Sequence, residues 1–252
     1  MASLRLSRRQ ILDTLRYFDQ YDYPLTREEL ILWSGVRPAK LDNQDYYFLP
    51  GKQHLVTLRK RREKISLKKW QIARRVGEKL KHFPTIAAVF VTGALAMNNC
   101  PKNDDVDLMI VTDPDSLWIT RFFVNLFLSS ARRYPGQTTA PDKICPNLWL
   151  ATPHLRIQTQ DLYRAHEILQ AKLVWEKAPV QQAFLRQNSW VKKFLPMAYK
   201  NLTSRKRIPL SLIKERAGVR FLNVIAFIVQ YIYMKPKMTS EKVTLGSAFF
   251  HP

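Results

Sequence analysis

The chain has 252 residues, of which 46% are apolar and 24% charged, a composition that supports a packed core and excludes wholesale disorder. Its 41 Lys+Arg against 20 Asp+Glu give a formal net charge of +21. That excess points to a polyanion (nucleic acid, nucleotide phosphates or an anionic membrane surface), with a solvated basic surface as the plainer alternative. Two cysteines, Cys100 and Cys145, exclude a disulfide framework and a Cys-rich zinc site and fit a reducing, cytoplasmic setting. The opening residues lack the continuous apolar run and small-residue cleavage site of a secretory signal. The apolar stretches 117–128 and 219–234 are interrupted by Arg121 and Asn125, and by Arg220, Asn223 and Gln230. Both fall short of the roughly 20 apolar residues of a spanning helix, so no transmembrane segment is expected.

In chain order, Ile11, Leu12, Leu15 and Phe18 have helical spacing. Thr26 and Glu29 form a capping box for a second helix bearing Leu30, Ile31 and Trp33, which Gly35 stops. Tyr46–Leu49, the turn Pro50-Gly51 and His54–Val56 read as a short hairpin. Helix, helix, hairpin is the order of a winged helix, so residues 1–56 are expected to be winged-helix-like. Residues 57–83 form a basic connecting helix, whose Arg59, Arg61, Arg62, Lys68, Lys69, Arg74 and Arg75 are candidate phosphate-backbone contacts or a solvated face. Residues 86–92 and 106–111 are expected strands, 116–133 a helix, and 144–151 a third strand in which Pro146 marks an edge or a bulge. From Asp161 the chain reads as helical, over 161–175, 180–194 and 210–234, and ends in an irregular tail whose Phe249 and Phe250 pack back on the body.

The stretch that carries chemistry is Val89–Val111, VFVTGALAMNNCPKNDDVDLMIV. Strand alternation puts Asp105 and Asp107 on one side, about 7 Å apart along the backbone, with Val106 turned inward. Two such carboxylates repel each other unless a cation lies between them, and hard oxygen ligands suit Mg²⁺. Gly93 permits close backbone approach to a phosphate, and a helix starting just after it would aim N–H groups at that phosphate.

Thr92-Gly93-Ala94, a spacer of about ten residues and Asp105-Val106-Asp107-Leu108 resemble the signature of the DNA polymerase β-like nucleotidyltransferase superfamily. The resemblance implies an α+β protein with a small mixed-sheet core over residues 84–160, between the winged-helix-like front end and C-terminal helices over 161–252. It also resembles uncharacterised bacterial proteins with this arrangement. For function it implies a nucleoside triphosphate held at Gly93 and Ala94, two Mg²⁺ ions on Asp105 and Asp107, and transfer of a nucleotidyl group to an acceptor hydroxyl, on RNA, a protein or a small molecule. The family usually has Ser or Gly where Ala94 stands, and a third carboxylate on a later strand. Here that strand carries Asn147, so Asp142 and Glu167 are the candidates to supply the missing group, Glu167 as ligand or general base. His166 beside it reads more readily as a packed, hydrogen-bonded histidine. The alternative is a catalytically degenerate protein that binds nucleic acid or regulates.

Overall fold

A computed structural model gives the fold and describes residues 2–37, 45–134, 137, 139–204 and 217–250. The chain opens with α1 (Ala2–Asp19) and α2 (Arg27–Ser34). The α2 start is the expected capping box: Thr26 Oγ1 accepts from Glu29 N and Glu29 Oε2 accepts from Thr26 N. Gly35, at φ 70°, closes the helix in the left-handed region that suits glycine.

The hairpin expected next is not formed. His54–Val56 is the first turn of α3 (His54–Leu80), and Tyr47 makes an isolated bridge to Leu25. Leu55, Ala73, Val76 and Leu80 are buried along one side of α3, so residues 54–56 extend its helical period and have no strand partner. The hairpin strand expected over 54–56 is thus corrected to helix, while α1 and α2 stand.

The sheet begins with β1 (Ile86–Val91), followed by one helical turn, α4 (Gly93–Ala96), then β2 (Val106–Thr112), α5 (Leu117–Phe127) and β3 (Ile144–Ala151). The expectation of an all-helical remainder is corrected. After α6 (Leu162–Gln170) the chain returns to the sheet as β4 (Lys172–Glu176). It then runs through α7 (Val180–Gln187), α8 (Pro196–Thr203) and α9 (Ala217–Met234), and closes with the paired β5 (Lys242–Val243) and β6 (Ser247–Phe249). The spatial order is β4-β1-β2-β3-β6-β5, with β2 and β3 parallel and the other neighbours antiparallel. This is an α+β protein with a six-stranded mixed sheet.

Helices cover both faces. Ala88, Phe90, Met109, Val111 and Leu150 join Phe18, Leu30, Trp33, Leu169 and Phe184 on one face. Val89, Val91, Leu108, Ile110 and Trp149 join Ala73, Leu80, Leu117, Trp118 and Val124 on the other. Strands β1 and β2 are apolar on both faces because both are covered. Phe249 packs on the first cluster and Phe250 on the second, as expected of the tail. Among the described residues, no helix is long and apolar enough to cross a membrane.

Candidate active site

The site forms where β1 turns into α4 and β2 begins. Thr92 N donates to Asp107 O at 3.1 Å, tying the turn to the second strand. Gly93 takes φ +61°, and a Cβ there would lie 2.7 Å from Asp107 Oδ2. Glycine is needed at 93 both for its backbone conformation and for this approach. The helix expected to start just after Gly93 is the single turn α4, and Ala94 packs its methyl group against the second core cluster.

Asp107 shares its strand face with Met109 and Val111, and Asp105 converges with it as strand alternation predicts. Ligand atoms of Asp105, Asp107 and Cys145 all lie within 4.8 Å of one another, so this group could hold a metal ion. Cys145 enters because β3 runs parallel to β2 and pairs Asp107 with Cys145. The register then shifts between Leu108 and Met109, whose partners are Pro146 and Leu148. Asn147 is the extra residue of this bulge, which is where a strand tolerates Pro146. Asn147 Nδ2 donates to Asp107 Oδ1 at 2.8 Å, while its own Oδ1 is buried with no partner among the described residues.

Burial, then Asp105, Asp104 and Glu167, push the Asp107 carboxyl up to about 8. Burial first, then Asp107 and Asp105, raises the Cys145 thiol, so the sulfur stays protonated and is a poor ligand for a hard cation. Asp105 is buried, and its Oδ2 accepts from Arg133 Nη1 at 2.9 Å. Sequence reasoning missed Arg133: the helix expected over 116–133 ends at Phe127, and Arg133 lies beyond it, where only the fold brings it to Asp105.

Asp142 does not supply the missing carboxylate. Its Oδ1 accepts from Lys69 Nζ at 2.8 Å and its side chain is largely exposed. Glu167, on α6, lines a cavity of 490 Å³ together with Thr92 and Asn147. Burial lifts Glu167 to about 7, against the opposing pull of Arg164. Arg156, Arg164 and Lys242 also line the cavity, with Tyr163 and Phe249 among its aromatic walls. These cations come from separate segments, so no local motif announces them. His166, beside Glu167, is buried, stacks on Tyr17 at a centroid distance of 4.0 Å and contacts Gln170 through Nδ1. It is a packing residue.

The basic helix divides in two. Arg59 is 5% exposed, and its Nη1 lies 2.6 Å from Glu29 Oε2 and its Nε 2.9 Å from Glu63 Oε1. Lys69 is 1% exposed, bonded to Asp142 and to the Asp104 carbonyl. Neither is available to a phosphate backbone, which corrects the expectation for both. Arg62 is tied to Tyr21 O, Asn99 and Asp22. Arg61, Lys68, Arg74 and Arg75 are exposed.

Comparison with protein-family models, with curated proteins and with solved structures returns no match to this chain.

Proposed function

We propose that this chain is a Mg²⁺-dependent nucleotidyltransferase, which moves a nucleotidyl group from a nucleoside triphosphate to an acceptor hydroxyl. The observation that carries this reading is the convergence of Asp105 and Asp107 beside the Gly93 turn, next to a cavity lined by Arg156, Arg164 and Lys242.

The donor chemistry fits the ion. Two carboxylates and the orphaned Asn147 Oδ1 offer hard oxygen atoms, and Mg²⁺ takes one or two protein carboxylates plus substrate phosphates. Among the described residues Asp105 and Asp107, with Cys145 beside them, form the group that could hold a metal ion, and the two Mg²⁺ ions of the resemblance would be held by Asp105 and Asp107. When bound, the ions would supply charge neutralisation for the phosphates and for the leaving pyrophosphate.

The chain's own groups do the rest. Arg156, Arg164 and Lys242 attract and orient the triphosphate. Glu167, poised near neutral, receives the proton of the attacking hydroxyl. The acceptor oxygen bonds to the α-phosphorus, and the bond to pyrophosphate breaks. The exposed Arg61, Lys68, Arg74 and Arg75 offer a nucleic-acid acceptor a sequence-independent contact.

A second reading has its own observation. Arg133 Nη1 stands 2.9 Å from Asp105 Oδ2, a cation paired with a carboxylate that the metal would need. A degenerate core that binds nucleic acid is consistent with that pair.

Incubation with Mg²⁺, each α-labelled nucleoside triphosphate and total cellular RNA, beside an Asp105→Asn/Asp107→Asn control, separates the two. Label transferred to a macromolecule by the wild type alone supports the enzyme. Salt-sensitive RNA binding with neither transfer nor Mg²⁺-dependent triphosphate binding supports the second reading.

A further inference from the structure

Helix α9 is apolar on the side that faces away from the protein. Its inner side is anchored: Asn223 Oδ1 accepts from Trp118 N at 2.6 Å, and Phe227 packs on Trp118 at a centroid distance of 5.0 Å. Its outer side exposes Phe221 (72%), Leu222, Ile225, Ile228, Val229 and Ile232 (66%). These positions recur at helical spacing, so they form one stripe along an 18-residue helix about 27 Å long. Phe122, Phe123, Leu126 and Phe127 of α5, each about half exposed or more, extend the surface across the neighbouring helix. An apolar patch of this extent marks a contact surface.

Charge selects the occupant. No acidic residue occurs from Ala217 to Ser240. Arg220 lies near the start of the helix, 75% exposed at its side chain and 3.9 Å from Asp115 Oδ2, and Lys235 and Lys237 lie exposed just past its end. Lys237 Nζ sits 3.8 Å over the ring of exposed Tyr233. A second copy of the chain would bring Lys235 and Lys237 against the same lysines or against Arg220, which already faces Asp115, with no acid on α9 to receive them. A lipid surface bearing negative headgroups satisfies both features, since apolar side chains enter the acyl boundary while flanking cations and tyrosine stay at headgroup level.

We propose that the α9–α5 face seats the protein on an anionic membrane surface, with α9 lying in the interface plane. The helix does not span: no described helix is long and apolar enough to do so.

Flotation with vesicles of phosphatidylcholine alone, or with about one-third phosphatidylserine, tests this on the full chain. The wild type is expected to float with the anionic vesicles, to do so less in high salt, and to stay down with the neutral ones. Ile228→Asn/Ile232→Asn should lose flotation at least ten-fold while keeping the wild-type circular dichroism. Should that variant misfold, Lys235→Glu/Lys237→Glu, altered only at exposed positions, is expected to weaken vesicle binding by about thirty-fold or more, since two cations near the surface are lost.

Failure of the wild type to float with anionic vesicles overturns the proposal, as does equal flotation with neutral ones. Undiminished flotation of folded Ile228→Asn/Ile232→Asn, or of Lys235→Glu/Lys237→Glu, also overturns it, by placing the contact elsewhere, such as the basic side of α3. A concentration-dependent dimer by sedimentation, abolished by Ile228→Asn/Ile232→Asn and without flotation, overturns it in favour of a second copy.

Discussion

Asp107 Oδ2 lies where a side chain at position 93 would begin, 2.7 Å from the site of a Cβ on Gly93. The turn and the carboxylate are thus a single packing unit. Gly93→Ala combines a left-handed backbone, which costs roughly 1–2 kcal/mol for a non-glycine residue, with a displaced Asp107. The expected outcome is a lower melting temperature and a loss of nucleotidyl transfer of about ten-fold or more, since small misplacements of reacting groups are costly. Wild-type stability in thermal denaturation would show that the contact imposes no constraint.

Arg59 and Arg75 are both cations of α3 and should behave oppositely. Arg59→Met strands Glu29, whose carboxyl is held below its usual range by Arg59 against the opposing effect of its own burial. Breaking a buried ion pair on one side costs about 3–5 kcal/mol. Urea denaturation should show that loss for Arg59→Met. Arg75→Ala should change stability by no more than about 0.5 kcal/mol, and should weaken RNA binding and flatten its salt dependence. A stable Arg59→Met variant that binds RNA poorly would reverse the assignment.

His166 makes the fold sensitive to acid. Burial lowers its pKa from 6.5 to about 3. Below pH 6.5 the unfolded chain takes up a proton that the folded chain does not, so stability is present above 6.5 and is lost as pH falls toward 3. The loss approaches about 1.4 kcal/mol per pH unit for one such group. His166→Phe can keep the stack on Tyr17 without titrating. The stability advantage of wild type over the variant should therefore shrink between pH 6.5 and 3 and stay constant above it. A difference independent of pH would remove His166 as the cause.

Glu167 offers a kinetic test of the same helix. Its carboxyl is raised from 4.5 to about 7 by burial. As a base it works only when ionised, so transfer should rise with pH through about 7. Glu167→Gln should lower kcat by roughly 10²–10⁴-fold and remove that limb. An unchanged profile would leave Glu167 as a cavity wall only.

Local patterns went far in this chain. The Thr26 and Glu29 box, the strands over 86–91 and 106–112, the shared side of Asp105 and Asp107, and the glycine requirement at 93 are all readable because each depends on residues a few positions apart. Pro146 points to an edge or a bulge for the same reason, and a bulge is what forms. What was misread depended on distant partners. Residues 172–176 look helical in continuation of α6, yet pairing with β1 makes them a strand. The tail gains β5 and β6 only because β3 offers an open edge.

By itself, then, the sequence determined where backbone conformation and side-chain alternation are local matters: caps, strand faces and the carboxylate pair. Tertiary structure decided which of several like residues does what. Arg59 and Arg61 are chemically equal in the sequence and stand two positions apart on α3. One is enclosed by Glu29, Glu63 and Tyr23, and the other stands in water. The cavity, the bond from Arg133 to Asp105 and the orphaned oxygen of Asn147 were likewise settled by packing. A charge's role follows from the groups that surround it, and the ones that enclose Arg59 from outside its own helix, Glu29 and Tyr23, lie tens of residues away along the chain.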